Sequence, residues 1–212
     1  MLKITEIYRS IQGESTWSGL PCTFVRLTGC NLRCSWCDTE YGFFGGKKMS
    51  IDDGFQEIEK LNCPLVELTG GEPLLQPKVA LLADRLLDAG YQVLVETGGH
   101  MDIDIVSSRA VRIVDMKCPA SEMTDKNDYK NLERVTNQDE IKFVIQNKED
   151  FIWAEALIKQ YKLESKCTVI LSPVFGVMAP LELTDLLLES GLNVRMQMQL
   201  HKLLWSPDKT GV

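Results

Sequence analysis

The chain has 212 residues, 44% hydrophobic and 25% charged, with a formal net charge of −7. That length suits one domain with a sizeable core, and no apolar run approaches a membrane span. Twenty-three Lys and Arg stand against 30 Asp and Glu with no basic stripe, so neither nucleic acid nor membrane is an expected partner. The opening run Met1–Glu6 lacks the apolar stretch of a signal peptide, and seven cysteines with an assembled cluster suit a reducing compartment; a cytoplasmic location is expected.

In chain order, Thr23–Leu27 reads as a strand running into a cysteine-rich loop. Ser50 is placed to cap a helix through about Lys60, with Asp52 and Asp53 in its first turn. Strands follow at Leu65–Leu68, Gln92–Glu96, Val111–Asp115, Ile141–Ile145, Thr168–Leu171 and Asn193–Met198. Helices are predicted over Pro77–Ala89, which Gly90 ends, and over Lys148–Tyr161 and Leu181–Ser190. Residues 118–138 read as a polar connection with at most one short helix, and Tyr41–Lys48 as a flap. Alternating strands and helices imply an α/β fold with a mainly parallel sheet. Six or seven such strands are too few for a closed eight-fold barrel, so an incomplete TIM-like barrel is expected. Functional residues then gather beyond the C-terminal ends of the strands.

The motifs fall at those ends. Cys30, Cys34 and Cys37 form a C-x3-C-x2-C loop after the first core strand. Iron–sulfur clusters are normally held by four thiolates. A trio with no close fourth Cys therefore points to a [4Fe–4S] cluster with one iron open to a small molecule. A zinc site would want four ligands, commonly in two pairs, and a disulfide framework suits small secreted chains. Cys22, Cys63, Cys118 and Cys167 read as small buried hydrophobes. Thr69-Gly70-Gly71-Glu72-Pro73 follows the second core strand, Thr97-Gly98-Gly99 the third, and Met116-Lys117 the fourth. Read on their own residues, Thr97 is as well explained by a helix cap, and Lys117 by a solvated strand end, as by ligand contacts.

The cysteine spacing, Trp36 before the third Cys and the Gly-Gly-Glu-Pro turn resemble the radical S-adenosylmethionine (radical SAM) superfamily. Ile11-Gln12-Gly13-Glu14, Phe24-Val25-Arg26, Cys37-Asp38-Thr39 and the run Gln199–Trp205 narrow the resemblance to its 7-carboxy-7-deazaguanine synthase family. The resemblance implies a single radical SAM domain over 1–212, with a core of about 20–200 and terminal segments that bind substrate. It implies rearrangement of 6-carboxy-5,6,7,8-tetrahydropterin to 7-carboxy-7-deazaguanine, with loss of ammonia, on the way to queuosine and other 7-deazapurines. The implied cofactors are a [4Fe–4S] cluster, S-adenosylmethionine and Mg²⁺. The implied partners are a reducing donor such as flavodoxin or ferredoxin and a second copy of the chain.

Carried across by position, Cys30, Cys34 and Cys37 hold the cluster and Thr39 the Mg²⁺, with Asp38 assisting. Gly71, Glu72, Thr97, Asp115, Met116 and Lys117 meet S-adenosylmethionine. Ile11, Gln12, Gly13, Glu14, Arg26, Thr69, His201 and the end at Val212 meet the pterin. Ser15 departs from the Gly found there in many relatives, and Asp115-Met116-Lys117 departs from a Ser-x-Lys version. Two other readings are a different small radical SAM enzyme, such as a glycyl-radical activase, and a non-catalytic iron–sulfur electron carrier.

Overall fold

Runs such as Leu65-Val66 and Val93-Leu94-Val95 are short and apolar, which suits strands buried on both faces. In the computed structural model, which describes residues 1–207 and 209–212, they build one nine-stranded sheet. The strands are β1 (Leu2–Ile11), β2 (Pro21–Leu27), β3 (Lys47–Met49), β4 (Leu65–Gly70), β5 (Gln92–Thr97), β6 (Val111–Met116), β7 (Glu140–Ile145), β8 (Thr168–Pro173) and β9 (Arg195–Met196). Their order is β3-β1-β2-β4-β5-β6-β7-β8-β9. From β2 to β9 every pairing is parallel, whereas β1 runs antiparallel to both β2 and β3. The sheet does not close: β3 and β9 are its two edges. It is the expected incomplete βα barrel.

The helices are α1 (Ile51–Lys60), α2 (Val79–Asp88), α3 (Asn131–Arg134), α4 (Lys148–Tyr161), α5 (Pro180–Ser190) and α6 (Leu200–Leu204). Ser50 caps α1 as its sequence predicts: its hydroxyl accepts the Asp53 N–H at 3.0 Å while the Asp53 carboxylate takes the Ser50 N–H. Among the described residues no helix is long and apolar enough to cross a membrane.

Side chains alternate across each strand, and the two faces have different fates. Val25, Leu27, Val66, Leu68, Val93, Val95, Val114, Ile141 and Phe143 join Ile58, Leu82, Leu86, Phe151 and Ile158 of the helices in the larger core. Each such fully buried side chain contributes about 1.5–3 kcal/mol. On the opposite, inner face Cys22, Phe24, Leu65, Leu94, Val111 and Ile113 form a smaller plug, closed by Tyr8 and Trp17. The next inward residues along the same strands are Arg26, Glu67, Thr69, Glu96 and Asp115, joined by Lys142 on β7. The inner face thus changes from apolar to charged toward the C-terminal ends of the strands.

Three sequence expectations shift, and a fourth, for residues 118–138, holds. The N-terminal segment, read as a motif only, forms the ten-residue β1, which pairs with β2 and gives Arg26 its neighbours. Tyr41–Lys48, read as a flap, is a short 3₁₀ turn followed by β3, whose Lys47 pairs with Ile4. The last strand shrinks from Asn193–Met198 to Arg195–Met196, and beyond it the Gln197 side chain donates to Ser15 O at 2.7 Å. Residues 118–138 contain α3 as the one short helix, preceded by two 3₁₀ turns.

Candidate active site

The cysteine loop leaves β2 at Gly29, whose φ of +103° suits glycine. It is tied down on three sides. The Glu72 N–H donates to Gly29 O at 2.8 Å, the Ser35 hydroxyl to Ala120 O at 2.8 Å, and Arg33 to Cys30 O at 2.9 Å. All three loop cysteines are free and half-buried. Burial pushes each thiol up, while the Lys117 ammonium pulls each down. Thiols in that setting need a metal's charge to stay ionised. Among the described residues no three such donors close on a single ion. In a cluster each thiolate would bind a different iron rather than one shared ion. The other four cysteines pack as hydrophobes, with Cys22, Cys63 and Cys118 buried and Cys167 half-buried.

Gly70 and Gly71 press the turn after β4 onto this loop. A Cβ on Gly71 would lie 2.5 Å from Gly29 O and 2.7 Å from the Cys30 Cβ; one on Gly70, at φ +151°, would run into the Leu27 backbone. Glu72 is fully buried. Its carboxylate accepts from Leu74 N–H at 2.9 Å, the Thr97 hydroxyl at 2.9 Å and Gly98 N–H at 2.8 Å. The side chains of Glu72 and Thr97, expected to meet a ligand, also fasten the two glycine turns together. Met116 departs from expectation: its side chain belongs to the helix-facing core, so only its backbone borders the site. His100, absent from the sequence expectations, lies with Nε2 2.6 Å from Asn31 Oδ1 inside the cysteine loop.

Asp115 and Lys117 end β6 as an ion pair of 2.8 Å. Asp115 Oδ1 and Gln197 Oε1 are buried without a hydrogen-bond partner among the described residues. Such orphaned acceptors are costly unless a donor arrives. They fit a ligand carrying hydroxyl or ammonium groups, as S-adenosylmethionine does.

The two termini meet over the inner face. Leu200 N–H donates to Gly13 O at 2.9 Å, and Gln199 Nε2 to Glu14 Oε1 at 2.9 Å. A Cβ on Gly13 would overlap the His201 ring, so glycine is what lets α6 dock there. Gln12 is buried and donates to the Glu67 carboxyl. Ile11 ends β1 opposite Pro21. Gly211 lies near Glu6 Oε2, which brings the end at Val212 to the Arg26 side of the site. Ser15 takes φ +63°, a left-handed conformation that glycine adopts without strain, and its hydroxyl accepts the Trp17 N–H at 3.1 Å. Ser15→Gly is expected to change stability by less than about 1 kcal/mol, relief of backbone strain offsetting the lost hydrogen bond. Ser15→Val is expected to cost about 2 kcal/mol; urea unfolding of the two variants checks both.

Arg26 is less free than expected. Its Nε donates to Glu6 Oε1 at 2.8 Å and its Nη2 to Tyr8 Oη at 3.2 Å, while the Tyr41 hydroxyl also donates to Glu6 at 2.8 Å. Among the described residues no hydrogen bond reaches Nη1. Thr69, its register partner on β4, is buried beside it. Thr39 makes no side-chain cap to the turn that follows; its hydroxyl donates to Asp38 Oδ1 at 2.9 Å. Burial works to raise the Asp38 carboxyl, but Lys202 at 2.6 Å and the Thr39 hydroxyl hold it at about 2.

The largest omission from the sequence reading is Lys142. Buried on the inner face of β7, its ammonium lies 2.7 Å from Glu14 Oε2, 2.5 Å from Glu96 Oε1 and 3.9 Å from Asp115 Oδ2. Glu67 sits beside them, and burial together with Glu96 and Glu14 pushes its carboxyl well above the usual range. The available signal was a charged residue set singly within each apolar run: Val66-Glu67-Leu68, Val95-Glu96-Thr97 and Ile141-Lys142-Phe143.

An incomplete βα barrel with a three-cysteine loop at its C-terminal mouth defines the chain as a radical SAM protein, and residues 24–113 match the Radical SAM superfamily. A curated relative from Koribacter versatilis, 7-carboxy-7-deazaguanine synthase, is 47% identical, with both chains covered at 100%. One from Chlorobaculum tepidum with the same name is 42% identical, covering 100% of this chain and 97% of its own. The chain belongs to the 7-carboxy-7-deazaguanine synthase family. The fold is shared with the crystal structure of QueE from Escherichia coli, at a TM-score of 0.78 with 23% identity and 94% of each chain covered.

Proposed function

We propose that this chain converts 6-carboxy-5,6,7,8-tetrahydropterin to 7-carboxy-7-deazaguanine with loss of ammonia, a step toward queuosine and other 7-deazapurines. The observation that carries this reading is the full-length relationship at 47% identity. The meeting of both terminal motifs over the charged inner face supports it. When bound, the [4Fe–4S] cluster and S-adenosylmethionine supply an electron and a carbon radical able to take a hydrogen atom from the substrate.

The residues of the chain then bind, orient and shield. Cys30, Cys34 and Cys37 would hold the cluster. The backbone at Gly70 and Gly71, with Asp115 and Lys117, would hold S-adenosylmethionine; Glu72 and Thr97 keep that turn in place. Arg26, steadied by Glu6, would present Nη1 to the substrate carboxylate. Gln12, Gly13, Glu14, Thr69 and His201 would surround the pterin ring, with Ile11 and Val212 at the rim. Thr39 would offer an oxygen to Mg²⁺, the rest of whose shell comes from substrate and water, with Asp38 orienting it. The whole chain would act as one radical SAM domain with substrate-binding ends. A cytoplasmic homodimer reduced by a flavodoxin or ferredoxin, with no nucleic-acid partner, completes the proposal.

The test is anaerobic incubation of iron-loaded protein with S-adenosylmethionine, dithionite, Mg²⁺ and the pterin, followed by mass spectrometry. 7-Carboxy-7-deazaguanine with little net S-adenosylmethionine consumed is the expected result. Release of 5′-deoxyadenosine with no deazapurine would overturn the substrate assignment and leave the radical SAM class intact.

A further inference from the structure

Lys142 belongs to none of the motifs that carry the family resemblance, yet it sits where they converge. Glu14 comes from the N-terminal loop, Glu96 from β5 and Asp115 from β6. Their carboxylates share one buried ammonium, at 2.7, 2.5 and 3.9 Å. Glu14 is held from its other side by Gln199 Nε2 at 2.9 Å, so this carboxylate links the N-terminal loop and the C-terminal run to the sheet. Glu14 and Glu96 keep 18% and 25% of their side chains exposed, whereas Lys142 keeps 6%. The carboxylates therefore look into the open inner face, and the ammonium lies behind them.

We propose that Lys142 is a positioning residue that fixes the carboxylates of Glu14 and Glu96 as a preformed pair of acceptors for the N–H edge of the substrate's aminopyrimidinone ring. This rests on the pterin reading above. Such a ring offers adjacent ring and amino N–H donors, and carboxylates are acceptor-only when ionised. Two carboxylates left facing each other in a low-dielectric site repel, and one takes up a proton. A buried counter-charge behind the pair removes the repulsion without occupying the face that meets the ligand.

The charged groups around the pair give the inference a pH signature. Lys142 is faced by Glu14 from the N-terminal loop, Glu67 from β4, Glu96 from β5, Asp115 and Lys117 from β6, and Glu140 from its own strand. Asp38 of the cysteine loop also feels it, and His201 faces Glu14 from α6. Burial works to raise the Glu14 carboxyl, and Lys142 reverses this, holding it below the usual range. Without the ammonium the largest cause holding Glu14 down is lost, so its carboxyl moves up and protonation competes more with ligand binding at the low end of the pH range. Binding then returns as pH rises and the carboxylate reforms.

The experiment measures steady-state kinetics of the cluster-loaded enzyme, with the pterin and S-adenosylmethionine varied separately. Lys142→Met is expected to raise KM for the pterin about tenfold or more at about pH 7, with partial recovery by about pH 9. The S-adenosylmethionine Kd and kcat are expected to stay within about threefold. An unchanged pterin KM, an equal loss for both ligands, or a loss independent of pH would overturn the inference. Should the Met variant not accumulate as folded, iron-loaded protein, Lys142→Arg and the unmodified enzyme decide. Both keep a cation behind the pair, so pterin KM is expected to vary by no more than about twofold between about pH 6.5 and 9. A steep tightening with pH in either one would overturn it. Failure of the unmodified enzyme to form the deazapurine would defeat the function reading. A working enzyme whose Lys142→Met variant is unaltered would defeat this inference alone.

Discussion

Gly71→Ala is expected to deprive the cysteine loop of its cluster while leaving the sheet folded. The added Cβ would lie 2.5 Å from Gly29 O and 2.7 Å from the Cys30 Cβ, distances that no ordinary contact tolerates. Neither neighbour is the far end of a flexible side chain, so relief requires the two backbones to part. They are clamped: Gly71 N–H donates to Leu27 O at 3.2 Å and Glu72 N–H to Gly29 O at 2.8 Å. Glu72 in turn is locked by Leu74, Thr97 and Gly98, which leaves the cysteine loop as the part that yields. Overpacking of this kind costs about 1–3 kcal/mol of stability. Displacing a positioned group by about 1 Å can cost about a hundredfold in rate. Iron content after anaerobic reconstitution and turnover are therefore both expected to fall, turnover by about a hundredfold, while circular dichroism stays unchanged. Full iron loading with unaltered cluster absorption would show that the close approach of Gly71 to Cys30 is not needed.

Arg26→Ala is expected to separate the two ligands of the enzyme. Arg26 lies on the inner face of β2, held by Glu6 at 2.8 Å and Tyr8 at 3.2 Å. Burial works against its charge, but Tyr8, Tyr41 and Glu6 raise it further, so it stays protonated throughout the usable pH range. Its removal takes away the donor proposed for the substrate carboxylate and leaves Glu6 without its cation. The substrate would then meet a negative charge where it had met a positive one. Loss of one charge-assisted contact together with that repulsion corresponds to about 3–4 kcal/mol, or a few hundredfold in kcat/KM for the pterin. S-adenosylmethionine affinity is expected to change by less than about threefold, because Asp115 and Lys117 are independent of Arg26. Arg26→Lys keeps the charge without the planar fork and is expected to recover part of the loss. Equal weakening of both ligands would remove Arg26 from the substrate site.

The parallel strands were legible because their apolar runs are short and separated by polar or helical stretches, and the α1 cap because Ser50 and Asp53 stand at the required spacing. The cysteine trio was legible for a similar reason: ligands on one loop are close in space because they are close in sequence. The fastening by Glu72 and Thr97 was not legible, because a carboxylate beside a glycine turn reads equally as a ligand contact or a local fastener. Which one it is depends on Thr97 and Gly98, some 25 positions away.

Lys142, Glu67 and Glu96 mark where local reading ends. A single charge in an alternating strand ordinarily faces water, and nothing nearby in the chain distinguishes water from an enclosed charged cleft. That distinction arises only when β1 and β4 to β7 curve so that their inner faces oppose one another and both termini fold across the opening. The sequence by itself determined the strand and helix pattern, the cluster-binding loop and the family resemblance, because these depend on short-range spacing. Tertiary structure alone decided which charges meet, because ion pairing depends on distance in space, and Glu14 and Lys142 are 128 residues apart in sequence yet 2.7 Å apart in the fold.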